Sequence, residues 1–247
     1  AGEADLRRHH PELPVFMGVD EKTVLRVGSS APGPGLRVEM ERAWPSLQRP
    51  IGLSAGIIHT LECCLIPTSG MRALRAGPPL RRSLIVLIDD GEEMGLLGTR
   101  YFIANPPFPL KTMVAGFEIE MIGRPDSLAG GPGKAWLTGY ERSTMGDMLK
   151  ANGIAIVPDP RPSQNFFRRS DNYAFAEMGI VAHTLSTFNL HTDYHRPSDD
   201  ADKFDFDHMT AVIKAGAQAV RHLADGATPA WHEGGKPAAP APRPPAP

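Results

Sequence analysis

One stretch constrains the fold more than any other: Leu84 to Phe102, LIVLIDDGEEMGLLGTRYF. Leu84 to Ile88 is an unbroken run of leucine and β-branched residues, too short for a stable helix and suited to a strand buried on both faces. The run passes directly into Asp89, Asp90, Gly91, Glu92 and Glu93. Gly95 to Phe102 then offers helix-forming leucines and stops before Pro106 and Pro107, because proline cannot continue a helix. Strand, acidic loop and helix follow in the order of a parallel α/β unit, and in such sheets ligands bind outside the carboxyl ends of the strands. The acids fall at that end. Four carboxylates within five residues repel one another unless water or a cation neutralises them. A solvated acidic turn is the ordinary outcome for such a loop, and the rest of the chain decides between the two.

The 247 residues suffice for one α/β domain with a full core. A net charge of −2 gives no electrostatic basis for nucleic acid or an anionic membrane as partner. No apolar run is long enough to span a bilayer. Cys63 and Cys64 are the only cysteines; adjacent thiols pack as small apolar residues more readily than they form a strained vicinal disulfide, so they fix no redox compartment. Ala1 opens no signal-peptide pattern, which is compatible with one having been removed.

Three regions follow from the patterning. Residues 1–50 read as an irregular N-terminal segment, with short strands at Leu13 to Val19 and Leu36 to Arg42 around a Gly/Pro-rich turn. Residues 51–226 read as the domain proper, and 227–247 as a Pro/Ala-rich disordered tail. Within the domain, helices are expected over Ser54 to Leu65, over Ser143 to Asn152 with Ser143 as N-cap, and from a Ser170 cap to Met178. A final helix runs from Asp207 to Ala224, where Met209, Val212, Ile213, Val220 and Leu223 recur at helical spacing and Gly226 ends the pattern. Buried strands are expected at Met113 to Ile122 and Ile180 to Thr187.

All three core strands lead to candidate metal ligands. The first gives Glu92 and Glu93, the second carries Glu120, and the third leads to His191 and His195 in HTDYH. Singly, these residues read as an edge-strand charge or as loop histidines. Together, at carboxyl strand ends, they make an oxygen and imidazole cluster suited to Zn²⁺ or a similar cation.

GEEMGLLGTRYF resembles the signature of the co-catalytic zinc exopeptidases, the superfamily of bacterial leucyl aminopeptidases, glutamate carboxypeptidase and glutaminyl cyclase. The resemblance continues in order through EIEMIGR, RRSDNYAFAEMGI and DYHRPSDDADKFDFDHM, over roughly residues 50 to 225. It implies a three-layer α/β sandwich, a mixed, mainly parallel sheet with helices on both faces. It further implies a metal-dependent exopeptidase, most simply an aminopeptidase, acting on a peptide or amino-acid derivative, with a secreted or periplasmic location. By position, Glu92 matches the general base, Glu93 and His195 the ligands of one zinc, and Glu120 the carboxylate of the other. Asp171 and Asp199 match carboxylates that orient ligands. Phe166, Phe167, Phe188 and Tyr194 flank this region, and Phe167, Phe188 and Tyr194 are assigned to an apolar substrate pocket.

Two family ligands have no counterpart. The chain has no His between His10 and His59 and no Asp between Asp20 and Asp89, so the upstream His-x-Asp is missing and Ile51 stands where a bridging Asp is expected. One zinc, or manganese or cobalt, is therefore expected where the family has two. A catalytically inactive, peptide-binding descendant is the competing expectation. Gly52-Leu53-Ser54-Ala55-Gly56 also satisfies the nucleophile-elbow pattern of serine hydrolases, although the proline-containing segment before it makes a poor strand.

Overall fold

The computed structural model describes residues 16–17, 23–27, 74, 77–87 and 91–238. The expected strand at Leu36 to Arg42, the helix at Ser54 to Leu65, both cysteines, Ile51, Ser54, Asp89 and Asp90 lie outside the described residues.

Strands β1 (Phe16–Met17), β2 (Thr23–Val27) and β3 (Leu84–Leu87) form an antiparallel sheet, with β3 paired from Val24↔Leu87 to Val27↔Leu84. This corrects the expectation for Leu84 to Ile88. Leu84–Leu87 is a strand, but its residues are half-buried and its partner is antiparallel; Ile88 lies outside the described residues. An apolar run requires cover; it does not specify the direction of the chain beside it.

The main sheet holds four strands in the order β4 (Gly116–Ile119), β7 (Ala182–Ser186), β5 (Ala135–Leu137), β6 (Ile156–Pro158). β4 with β7 and β5 with β6 are parallel, and β5 with β7 is antiparallel, so the sheet is mixed and mainly parallel as expected. Side-chain alternation along β5 divides the core. Ala135 and Leu137 face Met145 and Leu149 of helix α2 (Met145–Ala151) and Met209, Val212 and Leu223 of helix α4 (Phe206–Asp225). Trp136 points to the opposite face, with Phe166 and Phe188. Helix α3 (Asn172–Glu177) also lies on that side, where Phe175 meets Ala182 and Phe102 of helix α1 (Leu97–Ala104). Helices thus cover both faces of the sheet. α4 approaches closely because Gly216 carries no side chain; a Cβ there would stand 2.8 Å from Ile119 Cδ1.

The cap residues differ from expectation in an informative way. The Ser143 hydroxyl does accept from the Met145 amide at 3.2 Å, although Thr144 is the residue at the cap position. Asp171 stands at the cap of α3, and Ser170 directs its hydroxyl to glutamates instead. The short strands β2, β5 and β6 were not expected from the sequence. Three-residue runs such as AWL and IVP carry too little periodicity to be read as strands. Part of the segment expected as a disordered tail is docked on the domain. Trp231 forms a β-bridge with Ser143, and the Thr144 amide donates to the Ala230 carbonyl at 2.9 Å. Residues 239–247 lie outside the described residues.

Candidate functional site

β4 and β7 run parallel in register, Ile119 opposite Leu185, so their carboxyl ends open on the same edge. The Glu120 amide still donates to the Leu185 carbonyl at 3.1 Å, and the Thr187 amide to Met121 at 3.3 Å. Beyond this point the chains part. One leads to Arg124, the other into the loop from Phe188 that carries His191, Tyr194 and His195.

Across this edge, His195 Nε2 lies 2.5 Å from Glu93 Oε1, with both side chains more than half exposed. The pair joins the acidic turn after β3 to the loop after β7. Tight geometry holds it from both sides. The Glu92 carbonyl accepts the amides of Gly95 and Leu96, and Leu96 and His195 both take left-handed backbone conformations, φ 60 and 57. Met121 (φ 49) and Leu190 (φ 59) do the same. Side chains with a Cβ rarely adopt this region, at a cost of roughly 1–2 kcal/mol each. The Tyr194 ring stacks on His195 at 3.8 Å. Burial and the charges of Glu93 and Glu120 push the Tyr194 hydroxyl up to about 12, with Glu92 adding and Arg169 opposing.

Glu120 emerges just past β4. Glu118 lies two residues earlier, on the same face of the strand, and occupies the centre of a polar network. Its Oε2 accepts from the Asn172 amide at 2.9 Å and the Thr184 hydroxyl at 2.7 Å. The Ser170 hydroxyl lies 2.8 Å from Glu118 Oε1 and 2.9 Å from Glu120 Oε2. One hydroxyl has one proton, so a second proton on a carboxyl makes both contacts favourable. Glu120 suits that proton: enclosure of its carboxyl raises its pKa well above the usual range, and the charge of Glu118 raises it further. Glu92 and Asp171 act on it in the same direction and the Ser170 contact opposes. Glu118 received no role from the sequence, although the alternation in EIE already placed it beside Glu120.

The other assigned residues divide. Asp199 pairs with the Arg124 guanidinium and lies 3.9 Å from His191 Nε2. Asp171 lies close enough for its charge to act on Glu120. Phe188 and Tyr194 meet at 4.7 Å. Phe167 goes elsewhere, against His183, Tyr173 and Trp231, and Phe166 takes its place, 5.8 Å from Phe188 and 5.2 Å from Trp136. The two phenylalanines sit side by side in one 3₁₀ turn (Phe166–Arg168), and composition could not tell which faces the site.

Residues 63–220 match the profile described as Peptidase family M28, well over half of the chain. The chain belongs to peptidase family M28. Two solved structures share the fold: an aminopeptidase from Aneurinibacillus sp. strain AM-1 (19% identity, TM-score 0.52) and a zinc aminopeptidase from Bacillus subtilis (16%, 0.51). Each alignment covers 66% of this M28 chain and only 39% and 41% of those two chains, so it spans about two fifths of their length. No curated protein matches it.

The donors suit a zinc-type ion in kind but not in number. Carboxylate oxygen and imidazole nitrogen are ordinary zinc donors, and tetrahedral bonds of about 2.1 Å set two donors roughly 3.4 Å apart. Glu93 and His195 would need to open by roughly 1 Å from their present contact, which their exposure permits. Among the described residues, no group of three or more His, Cys, Asp or Glu side chains is arranged to hold a metal ion.

Proposed function

We propose that this M28 chain is a metal-dependent exopeptidase, an aminopeptidase in its simplest form, that cleaves the N-terminal bond of a peptide or amino-acid derivative. The observation that carries the reading is the contact of Glu93 with His195. These residues are distant in sequence, are assigned to one metal by motif position alone, and meet at the carboxyl edge of the sheet.

Glu93 and His195 would hold a single zinc, manganese or cobalt ion. Such an ion lowers the pKa of bound water and polarises a scissile carbonyl. Glu92, half-buried next to Glu93, is the group proposed to take the proton from water and return it to the leaving amine. Glu92 and the single negative charge left on the Glu118–Glu120 pair favour a protonated α-amino group over a carboxylate at the reacting end, which supports aminopeptidase over carboxypeptidase action. Phe166, Phe188 and Tyr194 offer an apolar wall. A secreted or periplasmic location goes with this reading through the family resemblance.

The test is hydrolysis of leucine p-nitroanilide by the purified chain with zinc, manganese or cobalt added, alongside metal analysis. Metal-dependent turnover is expected, with loss of about 100-fold or more in Glu92→Gln. Full activity in that variant, or no metal uptake and no turnover, overturns the reading. One observation favours a second reading, a non-catalytic peptide-binding descendant: among the described residues two donors stand at the site, fewer than the three that catalytic zinc ordinarily takes from protein. Peptide binding without turnover in any metal would establish it.

A further inference from the structure

A row of side chains crosses the edge of the sheet, with opposite charges at its ends. Glu93 touches His195 at 2.5 Å. His195 stacks on Tyr194 at 3.8 Å, Tyr194 meets Phe188 at 4.7 Å, and Phe188 meets Phe166 at 5.8 Å. At the far end the Arg169 guanidinium lies over the Phe166 ring, 5.0 Å from its centre. It is close enough for its charge to act on the Tyr194 hydroxyl.

Arg169 is exposed and forms no ion pair with any described residue. Its neighbour Arg168 is committed differently, with Nε donating to the Tyr173 hydroxyl at 3.1 Å and its guanidinium over the Tyr173 ring. The Arg169 backbone is fixed on both sides. Its amide donates to the Phe166 carbonyl at 2.9 Å, and the next residue, Ser170, contacts Glu118 and Glu120. A ring face under a guanidinium steadies the cation without using its N–H donors, so the fork stays available to a planar acceptor. Carboxylate is the acceptor whose geometry it matches.

We infer that Arg169 receives the free carboxylate of an unblocked peptide whose amino end lies among Glu92, Glu93 and the Glu118–Glu120 pair, so that free-acid peptides are preferred to C-terminally blocked ones. This rests on the exopeptidase reading for the chemistry at the amino end. Ser170, the residue after Arg169, contacts Glu120 at 2.9 Å, so the acids and the arginine stand close together beside the aromatic side chains, each taking the terminus of opposite charge.

The experiment compares Leu-Gly and Leu-Gly-Gly with their C-terminal amides, by kcat/KM on the metal-supplemented chain and by equilibrium binding to a Glu92→Gln chain that does not turn them over. The free acids are expected to be favoured by roughly tenfold or more, the size of one charge-assisted contact. Arg169→Gln should erase that preference, read as the ratio of free acid to amide within the same variant so that any general change in activity cancels, and Arg169→Lys should keep part of it. No preference in the parent chain, the same preference in Arg169→Gln, or its loss in Arg196→Gln instead overturns the inference. An Arg169-dependent binding preference without hydrolysis leaves the inference standing and removes the exopeptidase reading; arylamide hydrolysis without any preference does the reverse.

Discussion

His183 is fully buried in β7, and its two ring nitrogens are both used. Nε2 lies 2.7 Å from the Ser143 hydroxyl and Nδ1 2.7 Å from the Thr138 carbonyl. A carbonyl only accepts, so Nδ1 carries the proton and Nε2 takes the one from Ser143. Phe167 and Trp231 cover the ring. Burial first, and then the charge of Arg142, push its pKa down to about 4, with the Thr138 contact opposing. The folded state therefore resists a proton that the unfolded state accepts from about pH 6.5 downward. Stability is fully present above that pH and falls as pH drops from about 6.5 to about 4, by up to about 3 kcal/mol in total. Urea unfolding across this window in the parent chain and in His183→Gln checks it. The variant should be less stable at neutral pH and lose less on acidification, and parallel curves would contradict the assignment.

The loop from Phe188 to Lys203 is held by charge rather than by secondary structure. Arg124 pairs with Asp199 and, at 3.0 Å, with Asp193, while Asp193 also accepts from Lys203 and Ser198, each at 2.7 Å. These contacts hold Asp193 well below the usual carboxylate range, hydrogen bonds from Lys203 and Ser198 leading. The Thr187 hydroxyl adds a 2.7 Å bond to the Arg124 carbonyl. Because Arg124 bridges two carboxylates, its removal leaves both with reduced compensation. Arg124→Ala should cost about 2 kcal/mol and speed tryptic cleavage at Arg196. Arg124→Lys should recover little, since an ammonium cannot present the same fork. Unchanged proteolysis in Arg124→Ala would show that the loop is held by other means. Little of this was readable beforehand: a loop rich in Asp shows no periodicity, and its partner lies on a different strand connection.

At the scale of the molecule, the chain after α4 closes the structure. The C-terminal end of α4 is closed by Arg82, whose Nη1 donates to the carbonyls of Leu223 at 2.9 Å and Gly226 at 2.7 Å. From there the chain returns to α2. The Trp231 indole donates to the Gly179 carbonyl at 3.0 Å and packs on Phe167 and His183. Gly235 lies so close to the Arg142 carbonyl that a Cβ would stand 2.0 Å from it. Trp231→Ala should cost about 2 kcal/mol, a fall of roughly 4–8 °C in Tm, and Gly235→Ala should also destabilise by forcing two backbones apart. Thermal unfolding measures both, and an unchanged Tm in both variants would show that this closure contributes nothing to stability.

The sequence by itself determined the α/β class, the long amphipathic helix over Asp207 to Ala224, the main strands near Gly116 and Ala182, and the ordered motifs that mark the family. These are local patterns: apolar spacing, glycine stops, and acids placed after strands. Tertiary structure alone decided the antiparallel partner of Leu84–Leu87, the choice of Phe166 over Phe167 beside Phe188, the use of Ser170 on Glu118 and Glu120 rather than on its helix, and the docking of Trp231. Each depends on a neighbour from a distant part of the chain, and periodicity records that a side chain needs cover or a partner without naming the residue that supplies it.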